Sequence, residues 1–241
     1  MEFKSLLSVL LLCHVLGDFY FQNETLAKLK DRNYKFVVVH SLIYALVGII
    51  GSIVFLNKTS FLLICLYGFS HFVIDIIKFI LKDKKLIELS DIKLFLIDQF
   101  LHVSILLFIT YHLSVNHITY NEQIIHIFSI IDLPIYLFIS FLLKILLVHK
   151  PINIAIVNLM KAYKPVEKEE ETMKTGKLIG TIERIIMLFF ISINQYSSVG
   201  LVLTAKSIAR YNKISESQEF AEYYLLGTLL STISVLIVSI L

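Results

Sequence analysis

The chain has 241 residues, 57% of them hydrophobic and 17% charged, and a formal net charge of +3. A soluble domain carries roughly 45–50% apolar and about 25% charged residues, so this composition excludes an ordinary water-soluble globule, and the long apolar runs fit a chain whose solvent is lipid. No basic block interleaves with aromatics, which excludes nucleic acid as a partner, and Cys13 and Cys65, both inside apolar runs, exclude a disulfide framework or a Cys-based zinc motif.

About 20 apolar residues take a helix across the hydrocarbon core. By that measure, spans are expected at 3–21, 36–56, 60–81, 93–113, 130–149, 178–196, 198–213 and 223–241, about eight in all. The first segment is read as a retained span rather than a signal peptide. No small-residue cleavage site follows it, His14 and Asp18 continue it, and Leu12 spoils Cys13 as a lipoprotein site. Residues 114–131 should form an outer loop with a short surface helix. Asp132-Leu-Pro134 reads as the next helix start, with Asp as cap and Pro in the first turn. Lys206 and Arg210 interrupt the seventh span. The scarcity of glycine (8) and proline (3) argues against repeatedly broken helices.

Basic residues set the direction, because cytoplasmic loops are rich in Lys and Arg. One set of loops holds Lys28, Lys30, Arg32, Lys35, Lys82, Lys84, Lys85, Lys93, Lys150, Lys161, Lys164, Lys168, Lys174, Lys177, Lys206, Arg210 and Lys213; the opposite set holds only Lys4 and Lys58. Both termini are therefore expected outside and the 150–177 loop inside, with its Glu167–Glu171 charge run solvated. The expected organisation is an all-α polytopic bundle: 1–149 as an N-terminal helical bundle, 150–177 as a cytoplasmic loop and 178–241 as C-terminal transmembrane helices.

Ionisable groups inside a membrane are costly, and by default they suggest function. The first span carries His14 and Asp18, the third His71 and Asp75, and the fourth Asp98 and His102. Each pair is spaced i, i+4, which puts both members on one helix face. His40 adds a fourth imidazole from the second span. The charge-derived topology places all seven in the cytoplasmic half of their spans. Imidazole nitrogens with carboxylate oxygens suit a divalent Zn, Mn or Fe ion, so His14, Asp18, His40, His71, Asp75, Asp98 and His102 are the candidate ligands. They suffice for one metal with outer partners or for two metals. Asp18 and Asp98 are candidate catalytic bases. The alternatives are a proton relay and a hydrogen-bonded His–Asp network that only joins helices.

The last third carries Gly176-Lys-Leu-Ile-Gly180, Glu183-Arg184, Lys206 and Arg210 at i, i+4, and Glu222-Tyr223. Arg184, Lys206 and Arg210 are candidates for binding an anion such as phosphate. The competing reading pairs Glu183 with its basic neighbours and lets the lysine and arginine stems snorkel.

His14-x-x-Gly17-Asp18, Gln22, His40, His71-x-x-x-Asp75-x-x-Lys78 and Asp98-Gln99-x-x-His102 together resemble the bacterial membrane family catalogued as domain of unknown function 3307. Gly176-Lys-Leu-Ile-Gly-x-x-Glu183-Arg184, Gln195-Tyr196, Ala205-Lys206-Ser207-x-x-Arg210 and Glu222-Tyr223-x-Leu-x-Gly227-Thr228 resemble the tail of its longer members. The resemblance implies a multi-pass protein of the bacterial inner membrane and carries no activity. In pattern alone, the motifs are also similar to those of membrane-bound metal-dependent hydrolases.

Three functions fit this pattern. One is a metal-dependent hydrolase whose substrate is a phosphorylated lipid or similar amphiphile. The second is a metal-ion or proton-coupled transporter, against which stand the polar-poor outer halves of the spans and the lack of an obvious repeated half. The third is a non-catalytic scaffold with a structural His–Asp network.

Overall fold

The computed structural model describes residues 3–55, 58–84, 86, 89–116, 118–130, 132–163 and 170–241. Lys85, His117, and Lys164, Glu167, Lys168 and Glu169 of the expected charged loop lie outside the described residues. All regular structure among the described residues is helical. The chain divides into two compact units, Met1–Leu143 and Lys144–Leu241.

In the first unit, α1 (Phe3–Val15) runs into a π-helical turn (Leu16–Tyr20), followed by α2 (Glu24–Lys30), α3 (Tyr34–Ser52), α4 (Lys58–Asp83), α5 (Asp91–Val115), α6 (Glu122–Ile130) and the start of α7 (Ile135–His149). Asparagines start two of these helices. The Asn23 side chain accepts the Leu26 N–H at 2.7 Å and that of Asn33 accepts the Lys35 N–H at 3.0 Å, each satisfying a donor the first turn leaves open. The short helix α6 falls within the expected outer loop.

Helices α1 and α4 each pack against both α3 and α5, which closes a four-membered ring. One half of its interior is apolar, filled by Leu6, Leu10, Phe55, Ile64, Leu106, Ile109 and Leu113. The other half holds the His and Asp side chains. Three buried hydroxyls in this unit return to their own helices: Ser8 donates to the Lys4 carbonyl, Ser41 to Val37 and Thr110 to Leu106. The ring turns Leu42, Leu46, Ile50, Leu62, Phe69 and Phe100 outward, all exposed. Such a surface would be an aggregation hazard in water and is the expected one in lipid.

The second unit contains the end of α7, α8 (Pro151–Met160), α9 (Glu170–Ser192), α10 (Tyr196–Ala209), α11 (Tyr211–Glu216) and α12 (Gln218–Ile240). Helix α9 packs against α8, α10 and α12 around Val148, Met187, Leu188, Val235 and Val238. The segment read as the 150–177 loop is thus partly helical: Pro151 supplies the fixed φ of a first turn, and α8 follows with Ile152, Ile154 and Ile156.

Among the described residues, six helical segments are long and apolar enough to cross a membrane: Phe3–Tyr20, Tyr34–Phe55, Ser60–Asp83, Asp91–Val115, Ile135–Met160 and Gln218–Ile240. They point to a polytopic membrane protein. The other two expected spans differ for physical reasons. Helix α9 is long enough but carries Glu183 and Arg184 in its interior. The 198–213 segment breaks at Arg210, and the 14 residues of α10 rise only about 21 Å, short of a core of about 30 Å. Asp132 does not cap α7 either. It adopts a left-handed φ of 49°, tolerable for Asp in a tight turn, and the Pro134 carbonyl accepts the Phe138 N–H at 3.2 Å instead.

Candidate metal centre

Asp18 reaches the bundle interior from the π-helical turn. There the Phe21 N–H bonds back five residues to the Leu16 carbonyl at 2.9 Å, so this turn is wider than the α-helix before it. Gly17 lets the turn lie against the Tyr44 ring: a Cβ at that position would come within 2.6 Å of Tyr44 Cδ2. His40 comes from the first half of α3, His71 and Asp75 from the second half of α4, and Asp98 and His102 from the first half of α5. Successive helices of the ring run in opposite directions, so these positions meet at one end.

The contacts between helices are short. Asp18 Oδ1 accepts from His40 Nε2 at 3.1 Å and from His71 Nε2 at 3.2 Å, and Asp18 Oδ2 accepts from Gln99 Nε2 at 2.9 Å. Within helices, the i, i+4 pairs are looser: His71 Nδ1 lies 3.7 Å from Asp75 Oδ2 and His102 Nε2 3.7 Å from Asp98 Oδ1. The His40, His71, Tyr44 and His102 rings pack face to face or tilted. Tyr44 stacks on His71 at 3.5 Å between centroids, and His71 on His102 at 4.3 Å.

Three groups of side chains bring potential ligand atoms within 4.8 Å of one another: Asp18, His40 and His71; His71, Asp75 and His102; and Asp18, Asp98 and His102. Six of the seven expected ligands are thereby brought together. His14 belongs to none of the three. Its Nδ1 meets the Tyr44 hydroxyl at 3.0 Å and its Nε2 the Gln99 Oε1 at 3.1 Å, so both ring nitrogens are engaged. In the same cluster, His40 Nδ1, His71 Nδ1, Asp75 Oδ1, Asp98 Oδ1 and His102 Nε2 are buried and have no hydrogen-bond partner among the described residues. A buried polar atom left unsatisfied costs about 1–3 kcal/mol, so five in one place mark a site suited to a ligand. Nitrogen and carboxylate oxygen donors at this spacing fit a divalent cation after a modest contraction, since metal–ligand bonds run about 2.0–2.2 Å.

Two lysines complete the site: Lys78 stands in the motif His71-x-x-x-Asp75-x-x-Lys78, whereas Lys30 carries no such mark in the sequence. Lys30, on α2, donates to Asp75 Oδ2 at 2.8 Å, and Lys78 lies 3.0 Å from Asp98 Oδ2. Burial pulls the Lys30 ammonium toward neutrality, but the charges of Asp75 and Asp18 outweigh it and leave its pKa raised. The third carboxylate, Asp18, has imidazole and amide partners and no Lys or Arg among the described residues. With neutral imidazoles, the cluster keeps one negative charge in excess.

The candidate anion residues lie in the second unit. Arg184 donates from Nε to the Val148 carbonyl at 2.7 Å and from a second nitrogen to Asn153 and Thr181, both at 3.2 Å. Lys206 pairs with Glu183 at 2.7 Å and sits 5.4 Å from the centre of the Tyr224 ring. Arg210 ends α10.

Neither a curated protein nor a solved structure shows significant similarity to this chain. A family model described as "Protein of unknown function (DUF3307)" matches residues 6–131, a range that holds all seven expected ligands together with Lys30, Lys78 and Gln99. The chain belongs to the DUF3307 family, whose shared segment is the helical unit that carries this cluster.

Proposed function

We propose that this is a divalent-metal-dependent hydrolase of the bacterial cytoplasmic membrane, acting on a phosphorylated lipid or a similar amphiphile. The observation that carries the metal is the convergence of six buried or nearly buried His and Asp side chains in three groups whose potential ligand atoms lie within 4.8 Å of one another, at one end of the first unit. Asp18, His40 and His71 resemble the two-imidazole, one-carboxylate set of catalytic zinc sites, which leaves a position open for water or substrate. A bound ion there would polarise a phosphoryl oxygen and lower the pKa of a bound water. Asp18 and Asp98 remain the candidate proton acceptors, whichever of them is not a ligand. Lys30 and Lys78 retain 11% and 24% side-chain exposure, which suits them to receive an anionic headgroup.

One-sidedness favours hydrolysis over transport. A permeation path needs polar groups through the whole bundle, whereas Leu6, Phe55, Ile64, Ile109 and Leu113 fill its other half. A test is phosphate release from vesicles containing a phosphorylated lipid, with purified protein, with and without a chelator. We expect release that stops on chelation and returns with Mn²⁺ or Zn²⁺. Metal-dependent cation flux in proteoliposomes with no release from any phospholipid would contradict the hydrolase and favour the transporter.

A further inference from the structure

The metal reading leaves open how many ions the cluster takes, and the connectivity of Asp18 bears on that. Two of the three ligand groups share it: Asp18 with His40 and His71, and Asp18 with Asp98 and His102. Its oxygens face different ways. Oδ1 meets His40 Nε2 and His71 Nε2, and Oδ2 meets the Gln99 amide. We infer that the cluster is a dinuclear site in which the Asp18 carboxylate bridges two divalent ions, one held by His40 and His71 and the other by Asp98 and His102. This inference rests on the metal-dependent reading above.

Three observations support it. The second group does not depend on the acidic residues alone: Asp98 Oδ1 and His102 Nε2 face each other at 3.7 Å, both buried and without a hydrogen bond among the described residues, and the two residues are 7% and 5% exposed. The Gln99 amide nitrogen lies 2.9 Å from Asp18 Oδ2 and 3.3 Å from Asp98 Oδ2, so two carboxylates already converge on one neutral N–H donor. A cation placed there would displace that amide. Asp75 is left over as the outer partner. It faces His71 Nδ1 at 3.7 Å and is held by Lys30, the arrangement in which a ligating histidine donates its second N–H to a carboxylate. With Asp18 and Asp98 both engaged as ligands, its Oδ1 replaces them as the carboxylate oxygen free to accept a proton.

Charge sets the ligand class. Asp18, Asp75 and Asp98 carry three negative charges, and Lys30 and Lys78 two positive ones. Two divalent ions would make the site strongly cationic, and a buried site in that state needs a multivalent anion. A phosphomonoester dianion meets that need and spans two metals in the way known two-metal phosphatases use. A zwitterionic or neutral ester does not.

The test is Mn²⁺ titration of detergent-purified full-length protein, read by bound-metal stoichiometry and electron paramagnetic resonance. Two equivalents with an exchange-coupled spectrum are expected in the wild type. Asp98→Asn and His102→Gln should each reduce binding to one equivalent and restore the uncoupled hyperfine pattern of an isolated ion. One equivalent and an uncoupled spectrum in the wild type would overturn the bridge while leaving a single-metal site. No specific binding would overturn both the bridge and the metal reading. The wild-type spectrum decides the matter even if either variant fails to fold.

Discussion

Asp18 takes hydrogen bonds from residues on three other helices, and the position that allows this depends on its neighbour Gly17. The Tyr44 ring that a Cβ would strike cannot move aside, since it stacks on His71 and on Tyr67, the latter at 4.8 Å. Gly17→Ala should therefore destabilise the protein by about 1–3 kcal/mol, the usual cost of overpacking, and weaken metal binding. Gly200→Ala, where a Cβ meets nothing within 4 Å, should be neutral or gain up to about 1 kcal/mol of helix propensity. Thermal unfolding of both variants in detergent checks this, and equal effects would contradict it. Lys30→Ala leaves Asp75 charged, buried and short of its closest cation. We expect a loss toward the low end of roughly 3–5 kcal/mol, partly recovered by added divalent metal, and an unchanged unfolding midpoint under chelation would contradict the pairing. Lys30 was not legible as a site residue. It stands among Lys28, Arg32 and Lys35, and nothing in their chemistry tells a lysine folded onto a carboxylate from one in a cytoplasmic loop. The i, i+4 histidine–aspartate pairs were legible as a cluster, but the spacing does not show which helices bond. His71–Asp75 and Asp98–His102 stand 3.7 Å apart within their helices, while the short contacts join different helices.

Helix α2 is only seven residues long and its one job at the site is to bring Lys30 to Asp75. Isolated helices of that length do not hold themselves, so the Asn23 cap matters. Asn23→Ala should remove about 1 kcal/mol from α2 and raise amide exchange across Glu24–Lys30 while leaving α3 protected. Uniform exchange in both helices would show that α2 has no separate stability to lose. The first four spans could be read from the chain because each is a long apolar run with polar residues on one face. Later elements resisted for local reasons. Asp132 has the residue type of a cap but serves a left-handed turn, whereas the interruption read at Lys206 and Arg210 falls at the break between α10 and α11. The π-helical turn at Leu16–Tyr20 has no sequence signature beyond Gly17. The Phe21-to-Leu16 bond defines it.

For the whole molecule, charge and the polar cluster agree on a direction. We propose from their basic residues that the loops after α1 and α4 face the cytoplasm, the end of the first unit that also holds the His and Asp side chains. In a Cys65→Ser background, Lys84→Cys should resist an impermeant thiol reagent added outside intact cells, and Asn121→Cys should react; the reverse pattern would invert the topology. The most direct measurement is the metal content of purified protein, wild type against His71→Ala, both shown monodisperse. Stoichiometric Zn, Mn or Fe in the wild type, lost in the variant, is the expected result. Absence of bound metal in the wild type after reloading would contradict a metal centre and leave the cluster as a proton relay or a structural network.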